Sequence, residues 1–482
     1  MMGIFQRVRP ILIAAAYGLP VLFLGHAAMF WGRGVIDMEA MRLVPHYLEG
    51  RSLMAQIFDP QSNDAGLYQA RELSYFFDLI DARIFAALLN VGVLLFVPFS
   101  GVIGLIAFSA IYFWGARAVL RLGGVTASLL LTLFLSCIVT QASTSILYRS
   151  SKIILSVTLI AFLFCVTSLL RVRRQNGVPL LNWTGLLLLG LVMSLCDRQG
   201  FFYLVSTTVF LLVIWLIALV KKKDERRLYL PVFLICASAT VASILYNYVL
   251  APRIIYFVNG YWPNFFYQHF TRTDVLDPTL PRKAWEMFRQ QVCYFFGNIP
   301  FSTLCLIGGI AWLIHVWKHR GVALTYSGFQ MLLFCAFSVA ALIALFAVMI
   351  ARHAPIYEIP DHSFWYYTLS IQSVILFAVS VCLSRAKRLP SRWKAVLYLG
   401  LLILITSNAW HYRDQRQIMI RSTQWFGYQY AQSQFLIKRF ATSPPQHGPL
   451  PPDSDHWYLD ERSRFLQTVQ LLHDERSRGK TR

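Results

Sequence analysis

The chain has 482 residues, of which 57% are hydrophobic and only 14% are charged, whereas about 25% of the residues in a soluble domain are charged. This composition excludes a soluble globular protein and predicts an all-α, polytopic membrane protein. The formal net charge is +21, but the cations are spread between apolar segments, so no nucleic-acid partner is expected. Eight cysteines lie in or beside apolar segments without metal-ligand spacing, which predicts neither a disulfide framework nor a zinc site.

Apolar segments of roughly 20 residues, the length that crosses about 30 Å of hydrocarbon, recur along the chain. We find about eleven of them, which predicts a transmembrane helical bundle. The first follows Arg7 and Arg9 and has no cleavage-site pattern after it, so we expect it to be a retained span. The segments are 11–31, 95–114, 125–141, 153–170, 178–195, 201–220, 229–250, 300–317, 329–350, 367–383 and 395–410.

Lysines and arginines collect in alternate connections between these segments. Because such cations favour the cytoplasmic side, we expect a cytoplasmic N-terminus and an outer C-terminus. The pattern divides the chain into a transmembrane domain, 1–410, and an outer tail, 411–482, with a proline-rich linker at 443–452. The long outer loops are 32–83, 251–299 and 351–366, and the basic connections lie at 7–9, 117–121, 171–174, 221–227, 318–320 and 385–394.

The outer loop at 32–83 is long enough to need a functional reason. It divides into two helical segments joined by a turn-rich stretch at 59–66. In the first segment Asp37 has helical spacing with Met41 and Val44, which places its carboxylate at the end of an apolar face. Glu39 falls on the opposite, polar face. We therefore take Asp37 as the candidate catalytic base and Glu39 as the alternative.

The second segment of this loop combines an apolar stripe with a polar stripe on the opposite side. That pattern predicts an amphipathic helix lying in the membrane interface. The apolar stripe contains Leu73, Phe76, Phe77, Ile80 and Ile84, and the polar stripe contains Arg71, Ser74, Asp78 and Asp81.

Arginines at the outer ends of the spans are unexpected, because the insertion bias places cations in the inner connections. At that depth a guanidinium matches the phosphate of a lipid with two parallel hydrogen bonds. Carboxylates and aromatic rings at the same predicted depth are suited to binding a sugar. The candidate phosphate-binding residues are Arg71, Arg149, Arg198, Arg253 and Arg352. The candidate sugar- or acceptor-binding residues are Asp78, Asp197, Glu358, Asp361, Trp365 and Tyr366.

These residue types fit the transfer of a sugar from a lipid phosphate. A carboxylate takes the proton of an acceptor hydroxyl as the new bond forms, and cations stabilise the departing phosphate. His353 and His362 flank Glu358 and Asp361, but their spacing matches no ligand motif, so no metal site is predicted and a need for a divalent metal stays open. Taken singly, each of these residues also fits a simpler role as a headgroup anchor or interfacial belt residue.

The order of these features resembles the C-type (GT-C) superfamily of membrane glycosyltransferases, and within it the protein O-mannosyltransferase-like branch. Asp37 stands where that family has an acid early in the first outer loop, and residues 68–74, YQARELS, resemble its YRPLS-type motif with Glu72 in place of the proline. The family's arginine before the fourth span is similar to YRSS at 148–151, and its polar pair after the fifth span is similar to DRQG at 197–200.

The resemblance implies a polyprenyl-phosphate sugar as donor, undecaprenyl phosphate in a bacterial inner membrane, and an inverting transfer at the outer face. The acceptor, whether glycan, lipid or protein, stays open. Two alternatives remain. An O-antigen polymerase or ligase has a similar number of spans but concentrates its function in late outer loops, whereas a lipid or glycan transporter is expected to carry polar or broken helices near the middle of the bilayer.

Overall fold

The structure is a computed structural model that describes residues 13–25, 51–60, 67–90, 99–137, 139–140, 151–172, 180–220, 226–265, 278–296, 334–343, 368–384 and 391–422. Within these residues nearly all regular structure is helical. The exception is a short parallel strand pair, in which Leu67 aligns with Asn264 and Tyr68 with Phe265. The elements in chain order are α1 (Ile13–Gly25), α2 (Leu53–Ile57), β1 (Leu67–Tyr68), α3 (Glu72–Asn90), α4 (Phe99–Ala118), α5 (Gly124–Ser136), α6 (Ser151–Val172), α7 (Leu180–Cys196), α8 (Arg198–Val220), α9 (Arg226–Leu245), a π-helix (Tyr246–Leu250), α10 (Ala251–Asn259), β2 (Asn264–Phe265), α11 (Leu280–Phe296), α12 (Phe334–Ile343), α13 (Leu369–Leu383) and α14 (Ser391–Ser422).

Among the described residues, four stretches of helix are long and apolar enough to cross a membrane. At 1.5 Å per residue, about 20 residues of helix cover the roughly 30 Å of a hydrocarbon core. The stretches are Phe99–Ala118, Lys152–Leu170, Arg198–Val220 and Tyr229–Asn259. The predicted all-α membrane bundle is therefore confirmed, and the chain is an integral membrane protein. Every predicted apolar segment except 300–317, which lies outside the described residues, overlaps a helix.

The helices pack through large apolar side chains and through hydrogen bonds between neighbouring spans. Phe108 of α4 stacks on Phe134 of α5 with ring centroids 4.6 Å apart. One turn along α4, the Tyr112 hydroxyl lies 2.6 Å from Ser380 Oγ of α13. Hydrocarbon offers no hydrogen-bond partners, so polar groups on spans must find them within the protein. Pairs of this kind also join Ser194 to Ser243, Tyr203 to Ser338 and Thr208 to Thr240.

The predicted amphipathic helix in the first outer loop exists as α3, but its polar stripe faces the protein. Ser74 is 1% exposed, Asp81 5% and Asp78 8%, whereas the apolar stripe of the helix is only partly buried. The pattern is therefore inverted relative to a helix on a soluble protein. Lipid tolerates an apolar face, so the polar side chains of α3 turn toward the protein.

The seventh predicted segment is longer than the sequence indicates. The prediction ends this span at 250 and begins an outer loop at 251, but α9 continues through the π-helix into α10, which ends at Asn259. Gly260 terminates it in a left-handed conformation, with φ of 77° and its amide bonded to the Tyr256 carbonyl. Glycine adopts this φ without steric cost, which makes it a common helix stop.

Residues 51–60 and 67–68, in the predicted first outer loop, are docked on the end of this long helix. Arg51 donates to Asp59 Oδ2 at 2.6 Å and to Asn259 Oδ1 at 2.5 Å. Tyr261 donates to the other oxygen of Asp59 at 2.6 Å, and Asn259 Nδ2 donates to the Phe58 carbonyl at 2.6 Å. Together with the strand pair, these bonds fix the entry to α3 against the bundle.

Candidate functional site

Three polar side chains from distant parts of the chain meet at one end of the bundle. Asp197 Oδ2 accepts a hydrogen bond from Arg71 Nε at 3.0 Å and another from Lys152 Nζ at 2.7 Å. Lys152 and Asp197 are each 1% exposed, and Arg71 is 6% exposed. We call these three residues the Asp197 cluster. Its two cations come from the start of α3 and the first turn of α6, and both are fixed on the same carboxylate oxygen.

The turn between α7 and α8 places the carboxylate. Asp197 is the single residue between these helices, and its Oδ1 accepts from the backbone amide of Gln199 at 2.9 Å, so it caps the N-terminus of α8. A turn this tight requires Gly200. A Cβ at Gly200 would lie 1.9 Å from the carbonyl oxygen of Met193 and 2.9 Å from Leu155 Cδ1. The sequence DRQG therefore supplies both the carboxylate of Asp197 and the glycine that lets α8 approach the Met193 carbonyl of α7.

The two cations keep Asp197 ionised. Burial raises the pKa of this carboxyl, but Lys152, Arg71 and the Gln199 amide outweigh burial and hold the pKa well below its ordinary range. A permanently charged carboxylate holds both cations in fixed positions. Side chains oriented in this way are ready to bind an anion without first being ordered.

Two hydroxyl groups lie in the first turn of α3, directly after Arg71. Ser74 and Tyr75 are buried, at 1% and 3% exposure, and within the described residues neither hydroxyl has a hydrogen-bond partner. Buried hydroxyls are nearly always satisfied by protein, water or ligand. Both can donate to an oxyanion, and Ser74 shares a helix face with Arg71.

A second set of polar residues lies beside the Asp197 cluster and includes two residues of the π-helix. Arg198 Nη2 donates to the Tyr68 carbonyl at 2.9 Å, and the Tyr68 hydroxyl donates to Asn247 Oδ1 at 3.2 Å. The buried Glu72 carboxylate lies beside the phenols of Tyr68 and Tyr246. Burial, followed by the Glu72 charge, raises the pKa of Tyr68 well above its ordinary value, so this phenol stays protonated. Single-turn π-helices occur often at functional sites.

Some of the predicted site residues are brought together and others are not. Arg71 and Asp197 pair directly, and Arg198 lies next to them. Asp197, predicted to bind a sugar, uses both carboxylate oxygens within the protein. Asp78 is buried two turns along α3 from Arg71, whereas Arg253 is exposed on α10. The predicted residues Asp37, Glu39, Arg149, Arg352, Glu358, Asp361, Trp365 and Tyr366 lie outside the described residues.

Two residues of the site were not predicted from the sequence. Lys152 was missed because a lysine at the start of an apolar segment resembles an interfacial anchor. Lys152 could have been identified from its position, three residues after Arg149. Both cations lie on the side of the membrane that is predicted to carry few of them. Glu72 was noted only as a departure from the family motif. A carboxylate at the position where the family motif has a proline was the available signal.

Across the described ranges no group of three or more His, Cys, Asp or Glu side chains is placed to hold a metal ion. His353 and His362, which flank Glu358 and Asp361 in the sequence, lie outside those ranges. A requirement for a divalent metal therefore stays open.

Comparisons with known proteins give one weak likeness. No protein-family model and no curated protein matches the chain. The chain is similar to the crystal structure of ArnT from Cupriavidus metallidurans bound to undecaprenyl phosphate, with 15% sequence identity and a TM-score of 0.45, over 96% of this chain and 78% of that one. A likeness at this level carries no inference about activity. The membership in the C-type superfamily that the motifs indicate therefore stays a prediction.

Proposed function

We propose that this chain is a membrane glycosyltransferase that moves a sugar from a polyprenyl phosphate to an acceptor at the outer face of the membrane. The observation that carries the proposal is the Asp197 cluster. Arg71 and Lys152 are buried at the ends of the bundle helices and are held on one carboxylate oxygen. Two fixed cations at one end of the bundle fit the stabilisation of a phosphate leaving group.

The neighbouring groups support the same role. The hydroxyls of Ser74 and Tyr75 add two hydrogen-bond donors beside Arg71. The N-terminus of α8 begins at the cluster, and its amide dipoles favour an anion there. Arg198 adds a third cation one residue after Asp197. Phosphoryl oxygens need donors and positive charge from several directions, which this arrangement supplies.

The reaction that follows is an inverting displacement. The acceptor hydroxyl attacks the anomeric carbon, its proton passes to a carboxylate, and the bond from that carbon to the phosphate oxygen breaks. The departing polyprenyl phosphate keeps the bonding electron pair and is stabilised by Arg71 and Lys152. We assign the base to Asp37, with Glu39 as the alternative, from their place in the first outer loop. Arg149, Arg253 and Arg352 remain proposed phosphate contacts.

We further propose the protein O-mannosyltransferase-like branch of the C-type superfamily, with undecaprenyl phosphate as carrier in a bacterial inner membrane. This part rests on the motif resemblance at 68–74, 148–151 and 197–200. The N-terminus is placed in the cytoplasm and the first loop and tail outside, from the distribution of cations. Reporter fusions after Gly66 and Arg482 test this, and an inside signal at either position contradicts the outer-face reaction.

The central test is a change of Arg71 to Lys in the purified protein. This keeps the charge but removes the planar fork, so we expect binding of undecaprenyl phosphate to weaken by roughly tenfold or more. Arg117→Lys is the matched control, since Arg117 is an exposed arginine near the other end of a span. Arg253→Lys in the same assay tests that predicted contact. Unchanged binding in Arg71→Lys, with normal folding, contradicts the proposed phosphate site.

The base is tested separately from the phosphate site. Asp37→Asn is expected to reduce sugar transfer by roughly two orders of magnitude while leaving lipid binding intact, and Glu39→Gln is expected to do much less. The reverse result assigns the base to Glu39. Transfer with release of free polyprenyl phosphate also separates a glycosyltransferase from a transporter, which moves its lipid or glycan unchanged.

A further inference from the structure

Two hydrogen-bonded pairs of buried, uncharged polar residues share the first turn of α13, near the Asp197 cluster. Gln372, in the first turn of α13, is fully buried, and its Nε2 donates to the main-chain oxygen of Gln291 at 3.0 Å and to Gln291 Oε1 at 2.6 Å. Ser370 Oγ donates to Gln199 Oε1 at 3.3 Å. We call Gln199, Gln291, Ser370 and Gln372 the amide group. Each is 2% exposed or less.

One pair of the amide group, Gln199 and Ser370, is linked directly to Asp197, and Gln372 of the other pair follows Ser370 by two positions on α13. The Gln199 backbone amide is bonded to Asp197 Oδ1, and its side chain reaches Ser370 of α13. The starts of α6, α8 and α13 therefore lie at the same end of the bundle. In a sugar phosphate the anomeric carbon is bonded to the phosphate oxygen, so the sugar must lie beside the groups that hold the phosphate.

One atom of the group indicates a ligand. Within the described residues the Gln372 side-chain oxygen Oε1 is buried and has no hydrogen-bond partner. Buried polar atoms of this kind call for an explanation, and a bound hydroxyl supplies one. A purely structural amide on a neighbouring span looks different. Asn408 of α14 donates to the Phe295 carbonyl at 3.0 Å, and neither of its side-chain polar atoms is left buried without a partner.

We propose that the amide group binds the sugar of the lipid-linked donor and that this sugar is neutral. This inference rests on the proposed function. Amides present a donor and an acceptor together, which matches the hydroxyls of a sugar. All four members are uncharged, so none of them offers a carboxylate to an amino sugar or a cation to an acidic sugar. Gln372 Oε1 accepts from a sugar hydroxyl, and the bonds hold the anomeric carbon at the phosphate site.

The test compares binding of three probes to the purified, full-length protein in detergent. They are undecaprenyl phosphate, the same lipid carrying a neutral hexose, and the same lipid carrying an amino sugar. The unaltered protein is expected to bind the neutral-sugar lipid at least roughly fivefold more tightly than either of the others. Equal binding of all three lipids overturns the inference while leaving the phosphate site intact. Failure to bind any of them overturns the proposed function as well.

Substitutions in the amide group test whether its side chains cause the tighter binding of the neutral-sugar lipid. Gln372→Met keeps the side-chain length and removes the amide, so we expect binding of the neutral-sugar lipid to weaken by roughly fivefold to tenfold with no change for undecaprenyl phosphate. Asn408→Leu is the matched control and is expected to change neither. If Gln372→Met does not fold, Gln291→Met is measured in its place. An equal loss for both lipids, or no loss in a folded variant, assigns the amide group to helix packing alone.

Discussion

Replacing Asp197 with asparagine isolates the role of the buried carboxylate. The substitution keeps the shape and the cap of α8 through Oδ1, but it leaves Arg71 and Lys152 without the anion on which both are held. Removing one partner of a buried ion pair costs about 3–5 kcal/mol, chiefly because the remaining charge stays desolvated. All three side chains are at least nine-tenths buried, so solvent screening offsets little of that cost.

The comparison with Lys152→Met makes the prediction sharper. That change leaves the pair of Arg71 and Asp197 intact and replaces a buried cation with an apolar chain of similar length, so its cost is expected to be well below that of Asp197→Asn. The free energy of unfolding is measured by reversible titration with a denaturing detergent in mixed micelles. Equal losses in the two variants, or a larger loss in Lys152→Met, would refute the view that the carboxylate organises the cations.

The pH dependence of this effect also follows from the pKa. The folded-state pKa of Asp197 lies below its unfolded value, so the stability that the carboxylate contributes is present above about pH 4 and is lost only as the pH falls through the folded-state value. The difference between Asp197→Asn and the unaltered protein should therefore be constant from about pH 5 to pH 8. A difference that shrinks across this range contradicts the assignment of a permanently ionised group.

Three further predictions concern the framework around the site. Burial raises the pKa of Asp81 to about 6, against the lowering effect of its Ser100 hydrogen bonds. Ionisation of Asp81 therefore lowers the free energy of unfolding by up to about 3 kcal/mol as the pH rises from about 4 to above 6. Asp81→Asn should remove this loss in unfolding titrations, and an unchanged pH profile would contradict the prediction. Gly200→Ala is expected to cost more than about 3 kcal/mol or to prevent accumulation, because the new Cβ meets a backbone oxygen at 1.9 Å. The control Gly185→Ala lies inside α7 with open space around it, so it should not destabilise the protein. Asp59→Asn should speed hydrogen exchange of residues 51–60, because it weakens the bond to Arg51. The stability of the bundle should change little, since Arg51 is 35% exposed. Slow exchange in that variant would show that the strand pair alone holds the loop.

The helices of the bundle could be predicted from the sequence because hydrocarbon imposes a simple rule. A span must be apolar and about 20 residues long, and both properties are local. The rule fails where a helix leaves the hydrocarbon. The segment from Ala251 to Asn259 carries Pro252, Arg253 and Asn259 and was taken as a loop, although it continues the long helix. Packing against the first outer loop, rather than apolar composition, stabilises that extension.

The candidate site was predictable only in part, because its geometry depends on pairing between distant residues. Arg71 and Asp197 were identified as outer-face polar residues, but they are 126 positions apart, and no local pattern shows that they form an ion pair. Their partner Lys152 resembles an anchor until its burial is known. The burial of the polar stripe of α3 is a further case, since periodicity defines two faces of a helix and leaves open which one meets the protein.

The docking of the first outer loop has a consequence for the order in which the protein is made. Arg51 and its partner Asn259 are 208 positions apart, and a ribosome adds roughly 5–20 residues per second, so the loop waits roughly 10–40 s for the helix on which it docks. During that interval α2 packs only on α3, and β1 lacks its partner β2, although the following spans are already entering the membrane. A nascent chain arrested before α10 therefore displays residues 51–60 undocked from that helix, and protease sensitivity of these residues would report whether synthesis has passed Asn259.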